Sequence, residues 1–190
     1  MKIINKGEFL QNKNFFLEEM KKGKIFVYPT DTIYGIGCNA LNNEGVRKIR
    51  EMKKREKKAF SIISPGKEWI EDNCFVSEKA KKWLEKLPGA YTLILELKNR
   101  RAIAKEVNLG FDTLGIRIPE HWFSEVVIEA KVPFVTTSVN LSGEEAMKSM
   151  DDINEEIKND VDYIINEGFK EGKASTIVNL IGGKENILER

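Results

Sequence analysis

Two cysteines and a single histidine are too few for a disulfide framework or a zinc-type ligand set. Cys38 and Cys74 are therefore expected to stay reduced, which goes with a cytoplasmic location. No run of about 18 apolar residues is present, so no membrane span is expected. The opening MKIINKGEFLQNKNFF has no apolar core followed by a small-residue cleavage site, which argues against a secretory signal. An excess of one charge is missing too. Lys and Arg number 31 against 30 Asp and Glu, so no global field points to nucleic acid or a membrane surface. Nor is there a Gly-x-Ser-x-Gly elbow, a Walker phosphate loop, a Gly-x-Gly-x-x-Gly turn or a nucleophile–histidine pair. What remains is hydroxyls, amides, arginines and lysines, which bind carboxylates and phosphates. Such groups catalyse by orienting reactants and offsetting charge on phosphate, the logic of phosphoryl or nucleotidyl transfer.

The chain is organised around Lys24–Cys38, KIFVYPTDTIYGIGC. Ile25–Tyr28 reads as a strand, and Pro29 ends it because it has no N–H for the ladder. Thr30, Asp31, Thr32 and Tyr34 then set hydroxyls and a carboxylate beside Gly35 and Gly37, at the kind of strand end where open α/β sheets hold ligands. A polar turn is the plainer account of the same residues, and the length of the run favours a site.

Helices and strands alternate along the rest. Asn5–Lys22 reads as a helix ended by Gly23. A second runs over 44–55, capped by Asn42 or Asn43, with Val46, Ile49 and Met52 as its apolar stripe. Its far end is crowded with Arg47, Lys48, Arg50, Lys53, Lys54, Arg55, Lys57 and Lys58. A solvated face near a helix C-terminus explains some of this, and the density suits a polyphosphate or an RNA backbone. Ala59–Ser64 and Tyr91–Leu97 read as strands, Lys67–Asn73 and Ser77–Leu87 as helices, and 100–109 as a connector. In Gly110–Pro119, Arg117 points away from Ile116 and Ile118, towards solvent or a polar cavity. His121 opens a helix and reads as a cap. Val132–Val135 is a strand that runs into Thr136, Thr137, Ser138, Asn140, Ser142 and Gly143, repeating the opening pattern. Asp151–Lys158 is read as a helix, Val161–Asn166 as a strand and Lys173–Leu180 as a last strand with Ser175 at its start. An α/β fold with a mixed sheet in one domain, residues 1–190, follows.

Five motifs in order, PTDTIYGIGC, KKREKK, PGAYT, DTLGIRIPEH and TTSVNLSG, make the chain resemble the YrdC-like threonylcarbamoyl-AMP synthases in their single-domain form. The resemblance implies a twisted mixed sheet with flanking helices around a large basic cavity. It implies synthesis of threonylcarbamoyl-AMP and pyrophosphate from L-threonine, bicarbonate and ATP, feeding the threonylcarbamoyl modification of adenosine 37 in tRNA. Carried over by position, Thr30, Thr32, Arg117, Thr136 and Ser175 are implied contacts to threonine, with Arg117 on its carboxylate. Lys53, Arg55, Lys58, Thr113, Ser138, Asn140 and Arg190 are implied contacts to the nucleotide. Lys53 and Arg55 are the implied catalytic pair, aided by a Mg²⁺ carried by ATP with no metal ligand from the protein. Downstream tRNA-modification proteins are implied partners. Glu56 stands where the family has proline, and Val139 within its Ser-x-Asn. These departures leave open a diverged paralogue that binds nucleotide without synthesis, and the 47–58 cations leave open an RNA-binding module. A carbamoyl-transfer relative of the hydrogenase-maturation type ranks below both.

Overall fold

The computed structural model describes residues 1–189, and Arg190 lies outside them. Its strands are β1 (Lys2–Asn5), β2 (Phe26–Tyr28), β3 (Gly35–Gly37), β4 (Ser61–Ile63), β5 (Cys74–Phe75), β6 (Tyr91–Leu97), β7 (Thr113–Arg117), β8 (Phe134–Ser138), β9 (Tyr163–Asn166), β10 (Thr176–Asn179) and β11 (Asn186–Leu188). The helices are α1 (Lys6–Gln11), α2 (Lys13–Lys21), α3 (Asn43–Met52), α4 (Lys67–Asn73), α5 (Glu78–Glu85), α6 (Lys105–Asn108), α7 (Trp122–Ala130) and α8 (Glu155–Asp160). The strands join one sheet in the order β1-β9-β2-β3-β8-β4-β7-β6-β10-β11, with β5 paired to β6. Pairs β1/β9, β2/β9, β4/β7 and β6/β10 are parallel and the others antiparallel, so the sheet is mixed. Among the described residues no helix is long and apolar enough to cross a membrane.

Local chemistry accounts for most element ends. The Asn42 side chain accepts the Gly45 N–H at 2.8 Å and starts α3, and the Ser77 hydroxyl does the same for α5. The expected helix over Asn5–Lys22 is instead β1, α1 and α2. Asn5 and Glu8 form a capping box that starts α1 only after the chain has paired with β9. Of β1 only Ile4 is buried, so no alternation marks it as a strand in the sequence. Gly35–Gly37, read as loop glycines, form β3, because β2 and β8 flank them with paired backbone. Helix α3 stops at Met52, short of Arg55, and the 100–109 connector contains α6.

Each face of the sheet buries its own apolar cluster. Ile36, Ile62, Leu93, Ile116 and Val135 point to one side, where Ile49 of α3 and Leu84 of α5 pack on them. Phe26, Tyr28, Ile63 and Phe134 point to the other, under Phe9, Met20 and Phe123 from α1, α2 and α7. That second face changes character along the sheet. Ser61 sits opposite both Thr136 and Gly115, and Gly115 opposite Ile94, so Ser61, Thr136, Arg117 and Thr92 share the side that holds Ile63 and Phe134. One half of the face is apolar and covered; the other half is polar.

Arg50, counted among the α3 cations, is turned inward. Its guanidinium donates to the Arg55 and Lys58 carbonyls at 2.8 and 3.0 Å and to the Glu106 carbonyl at 2.7 Å. It lies 4.4 Å from the Phe60 ring centre. These bonds close the 53–58 turn against α6, so Arg50→Met takes this donor from the Arg55 and Glu106 carbonyls. Unfolding free energy in a urea titration is expected to fall by about 2–3 kcal/mol. A fall under about 0.5 kcal/mol would show that the turn is held by something else.

Candidate functional site

The polar half of that face floors an open-mouthed cavity of about 210 Å³. Gly115 makes room for one of the floor hydroxyls: a Cβ there would lie 2.4 Å from Ser61 Oγ, so a side chain would push that hydroxyl aside.

One wall is the turn after β2. Thr30 Oγ1 donates to the Ile33 carbonyl at 2.7 Å and accepts the Thr32 N–H at 3.1 Å, which curls the turn on itself. The two threonine hydroxyls are 2.9 Å apart. Arg117, from the end of β7, donates to Asp31 Oδ1 at 2.6 Å and lies 3.5 Å from Thr32 Oγ1. Asp31 Oδ2 accepts the Glu120 N–H at 3.0 Å. The pair is buried, with side chains 8% and 10% exposed. Asp31 therefore fixes the guanidinium and offsets its charge at the same time.

The opposite wall carries Arg55, Ser138 and Asn140. Arg55 donates to the Ala59 carbonyl at 2.7 Å and to Thr137 Oγ1 at 3.2 Å. Ser138 Oγ donates to Asn140 Oδ1 at 2.6 Å, and Asn140 Nδ2 to the Glu144 carbonyl at 2.7 Å. At the third side, the Ser175 and Thr92 hydroxyls are 2.7 Å apart. Among the described residues, Glu144 is the one carboxylate in the lining. The lining thus holds two arginines and one carboxylate, with Asp31 against Arg117 just behind it.

Eight of the residues expected from the motifs meet at this cavity: Thr30, Thr32, Arg55, Arg117, Thr136, Ser138, Asn140 and Ser175. Lys53, Lys58 and Thr113 do not. Lys53 lies beneath the lining, where its Nζ donates to the Ser138 carbonyl at 2.5 Å, the Asn140 carbonyl at 2.7 Å and Asn140 Oδ1 at 3.0 Å. An ammonium has three protons, and all three are engaged by the 138–140 turn. Lys53 thus braces the turn from beneath the lining. Lys58 is exposed on the 53–58 turn; its carbonyl, not its ammonium, meets Arg50 and Arg55. Thr113 starts β7, about 13 Å along the strand from Arg117, and lies outside the lining. Arg190 lies outside the described residues.

The α3 cation cluster does not converge either. Arg50 and Lys53 turn inward, Lys54 pairs with Glu156 at 2.9 Å, and Arg47 lies 3.9 Å from Glu51. Ser61, Thr92 and Glu144 line the cavity without having been singled out. Ser61 in AFSIIS and Thr92 in YTLILEL are lone hydroxyls in apolar strands, which was their signal. Among the described residues no group of three or more His, Cys, Asp or Glu is placed to hold a metal ion.

A family model named Sua5/yciO/yrdC and described as telomere recombination matches residues 18–190. A Methanocaldococcus jannaschii protein described as a candidate threonylcarbamoyl-AMP synthase is 40% identical over 93% of this chain and 84% of its own length. The threonylcarbamoyl-AMP synthase of Idiomarina loihiensis is 29% identical over 77% of this chain and 81% of its own. The crystal structure of P. abyssi Sua5 complexed with L-threonine superposes with a TM-score of 0.87 at 26% identity. It covers 100% of this chain, which spans 57% of the P. abyssi chain.

Burial, with the Arg55 charge adding to it, pushes Lys53 down from 10.5 to about 7. Between pH 7 and 10.5 the folded chain then binds less proton at this site than the unfolded chain. Wild-type stability should therefore rise with pH across that window relative to Lys53→Met. Urea midpoints of the two proteins at pH 7 and pH 10 check this; a difference that stays constant between them contradicts it.

Proposed function

The chain belongs to the Sua5/yciO/yrdC family, and on that premise we propose that it makes threonylcarbamoyl-AMP and pyrophosphate from L-threonine, bicarbonate and ATP, a nucleotidyl transfer. The observation that carries this reading is the pairing of two anion-binding ends in one cavity. Arg117 with Thr32 stands at one end, and Arg55 with Ser138 and Asn140 at the other. The names of the relatives and the threonine complex of the P. abyssi protein support the same ligands.

The chemistry follows from that spacing. Arg117, held by Asp31, takes the threonine carboxylate, and Thr32, Thr136 and Ser175 fix the rest of the small ligand. Bicarbonate takes up a proton and loses water to give carbon dioxide; the threonine amine adds to it, loses a proton to solvent and becomes a carbamate. A carbamate oxygen then bonds to the α-phosphorus of ATP while the bond to the bridging oxygen breaks, and pyrophosphate leaves. Arg55 bears on the phosphates, and Ser138 and Asn140 hold the nucleotide beside it. Lys53 supports them from below by fixing the turn that presents them. With one lining carboxylate available, Mg²⁺ would enter on the nucleotide and offset phosphate charge there. The product would pass to tRNA-modification proteins in the cytoplasm. An RNA-binding role for the 47–58 cations has weaker support, because Arg50 and Lys53 point inward and Arg47 and Lys54 have acidic partners.

Purified protein should release pyrophosphate only when threonine, bicarbonate, ATP and magnesium are all present; release that ignores threonine overturns the reading. Arg117→Ala should raise the threonine KM by about 10–100-fold while the ATP KM moves by less than about threefold. Arg55→Ala should show the opposite split. Equal losses for both ligands in both variants would contradict the assignment of the two ends.

A further inference from the structure

Residues 167–175 connect β9 to β10 without a helix or strand of their own, yet they are tied to residues around the cavity. Tyr34 Oη donates to the Gly168 carbonyl at 2.8 Å. The Lys170 N–H donates to the Lys148 carbonyl at 2.9 Å, on the far side. Gly172 packs so close to Thr32 that a Cβ there would lie 2.2 Å from the Thr32 carbonyl oxygen. The segment ends with Ala174 and Ser175 in the lining. It is a strap across the site. Ordering such a segment costs about 1–2 kcal/mol per residue, so something must hold its root.

Glu167 does so. Its carboxylate accepts Trp122 Nε1 at 2.7 Å and Lys170 Nζ at 2.5 Å, and lies 2.8 Å from His121 Nε2. His121 Nδ1 accepts the Phe123 N–H at 3.3 Å, which leaves Nε2 to carry the proton that Glu167 receives. The backbone N–H of Glu167 donates to Tyr34 Oη at 2.9 Å. Burial pushes the Glu167 carboxyl up, but its bonds to Lys170, His121 and Trp122 outweigh this and hold it down at about 2. The same corner of α7 carries Glu120, whose N–H binds the counter-ion of Arg117. One short segment thus ties the strap on one side and the Arg117–Asp31 pair on the other.

We propose that Glu167 is a positioning residue of the threonine end of the cavity. Its clasp on His121, Trp122 and Lys170 keeps the strap seated, so that Ser175 and Arg117 bear on one small ligand. This rests on the synthase reading for the ligand, and on the geometry alone for the clasp. Glu167→Gln keeps the shape and one acceptor and removes the charge that Lys170 answers.

The test is amide hydrogen exchange on the full chain together with steady-state kinetics. In Glu167→Gln, exchange over 168–175 should quicken about tenfold while β6, β7 and β8 stay unchanged. The threonine KM should rise about tenfold with the ATP KM within about twofold, which a general loss of stability would not produce. Lys170→Met, which removes one donor from the rim, should shift both readouts the same way and by less; it also serves if Glu167→Gln fails to fold. Unchanged exchange over 168–175, or equal rises in both KM values, overturns the proposal. If the wild type shows no threonine-dependent turnover, the synthase reading falls, and the clasp is decided by exchange: faster exchange confined to 168–175 upholds it, and unchanged exchange overturns it.

Discussion

The buried contact between Arg117 and Asp31 is the constraint on which the site depends. Taking two charges out of water is costly, and replacing such a pair with apolar residues often leaves a protein no less stable. Stability alone is therefore a poor reason for it. Its position supplies a better one, because it joins the end of β7, the turn after β2 and the start of α7 at a single point. Each of these carries something the cavity uses: the guanidinium, the Thr30–Thr32 hydroxyls, and the corner that anchors the 167–175 strap. A guanidinium aimed by a carboxylate is already oriented when a ligand arrives, which lowers the ordering that binding requires.

A second constraint is the division of one sheet face. Strand register sets Ile63 and Phe134 beside Ser61, Thr136 and Arg117, with the same side-chain direction and opposite chemistry. Helices α1, α2 and α7 cover the apolar part because burial of Tyr28, Phe26 and Phe134 rewards it. The polar part offers no such reward, and it stays open to become the cavity floor.

Cations here do two different jobs. Arg50 and Lys53 satisfy backbone carbonyls of turns, while Arg55 and Arg117 reach the cavity. Both kinds sit in polar surroundings and obey the same rule, that a buried charge needs partners. The difference lies in what they border. Arg50 and Lys53 give their donors to main-chain oxygens away from the cavity. Arg55 and Arg117 also have partners in the chain, Ala59, Thr137 and Asp31, but border space that a phosphate or carboxylate could occupy.

The sequence alone determined the α/β class, most but not all of the strands and helices, the two polar strand ends at Thr30–Thr32 and Thr136–Asn140, and the family that five ordered motifs resemble. These are local properties: apolar period, proline and glycine placement, and caps such as Asn42 and Ser77 leave marks within a few residues. Only the tertiary structure decided that Lys53 and Arg50 face inward while Arg55 faces the cavity. Side-chain direction at a helix end depends on which carbonyls the following turn brings near, and those belong to residues 138–140 and 106, far along the chain. It also decided that β1 is a strand, because its partner β9 lies at the other end of the sequence, and that Glu167 meets His121, a pairing that no spacing within either segment could announce.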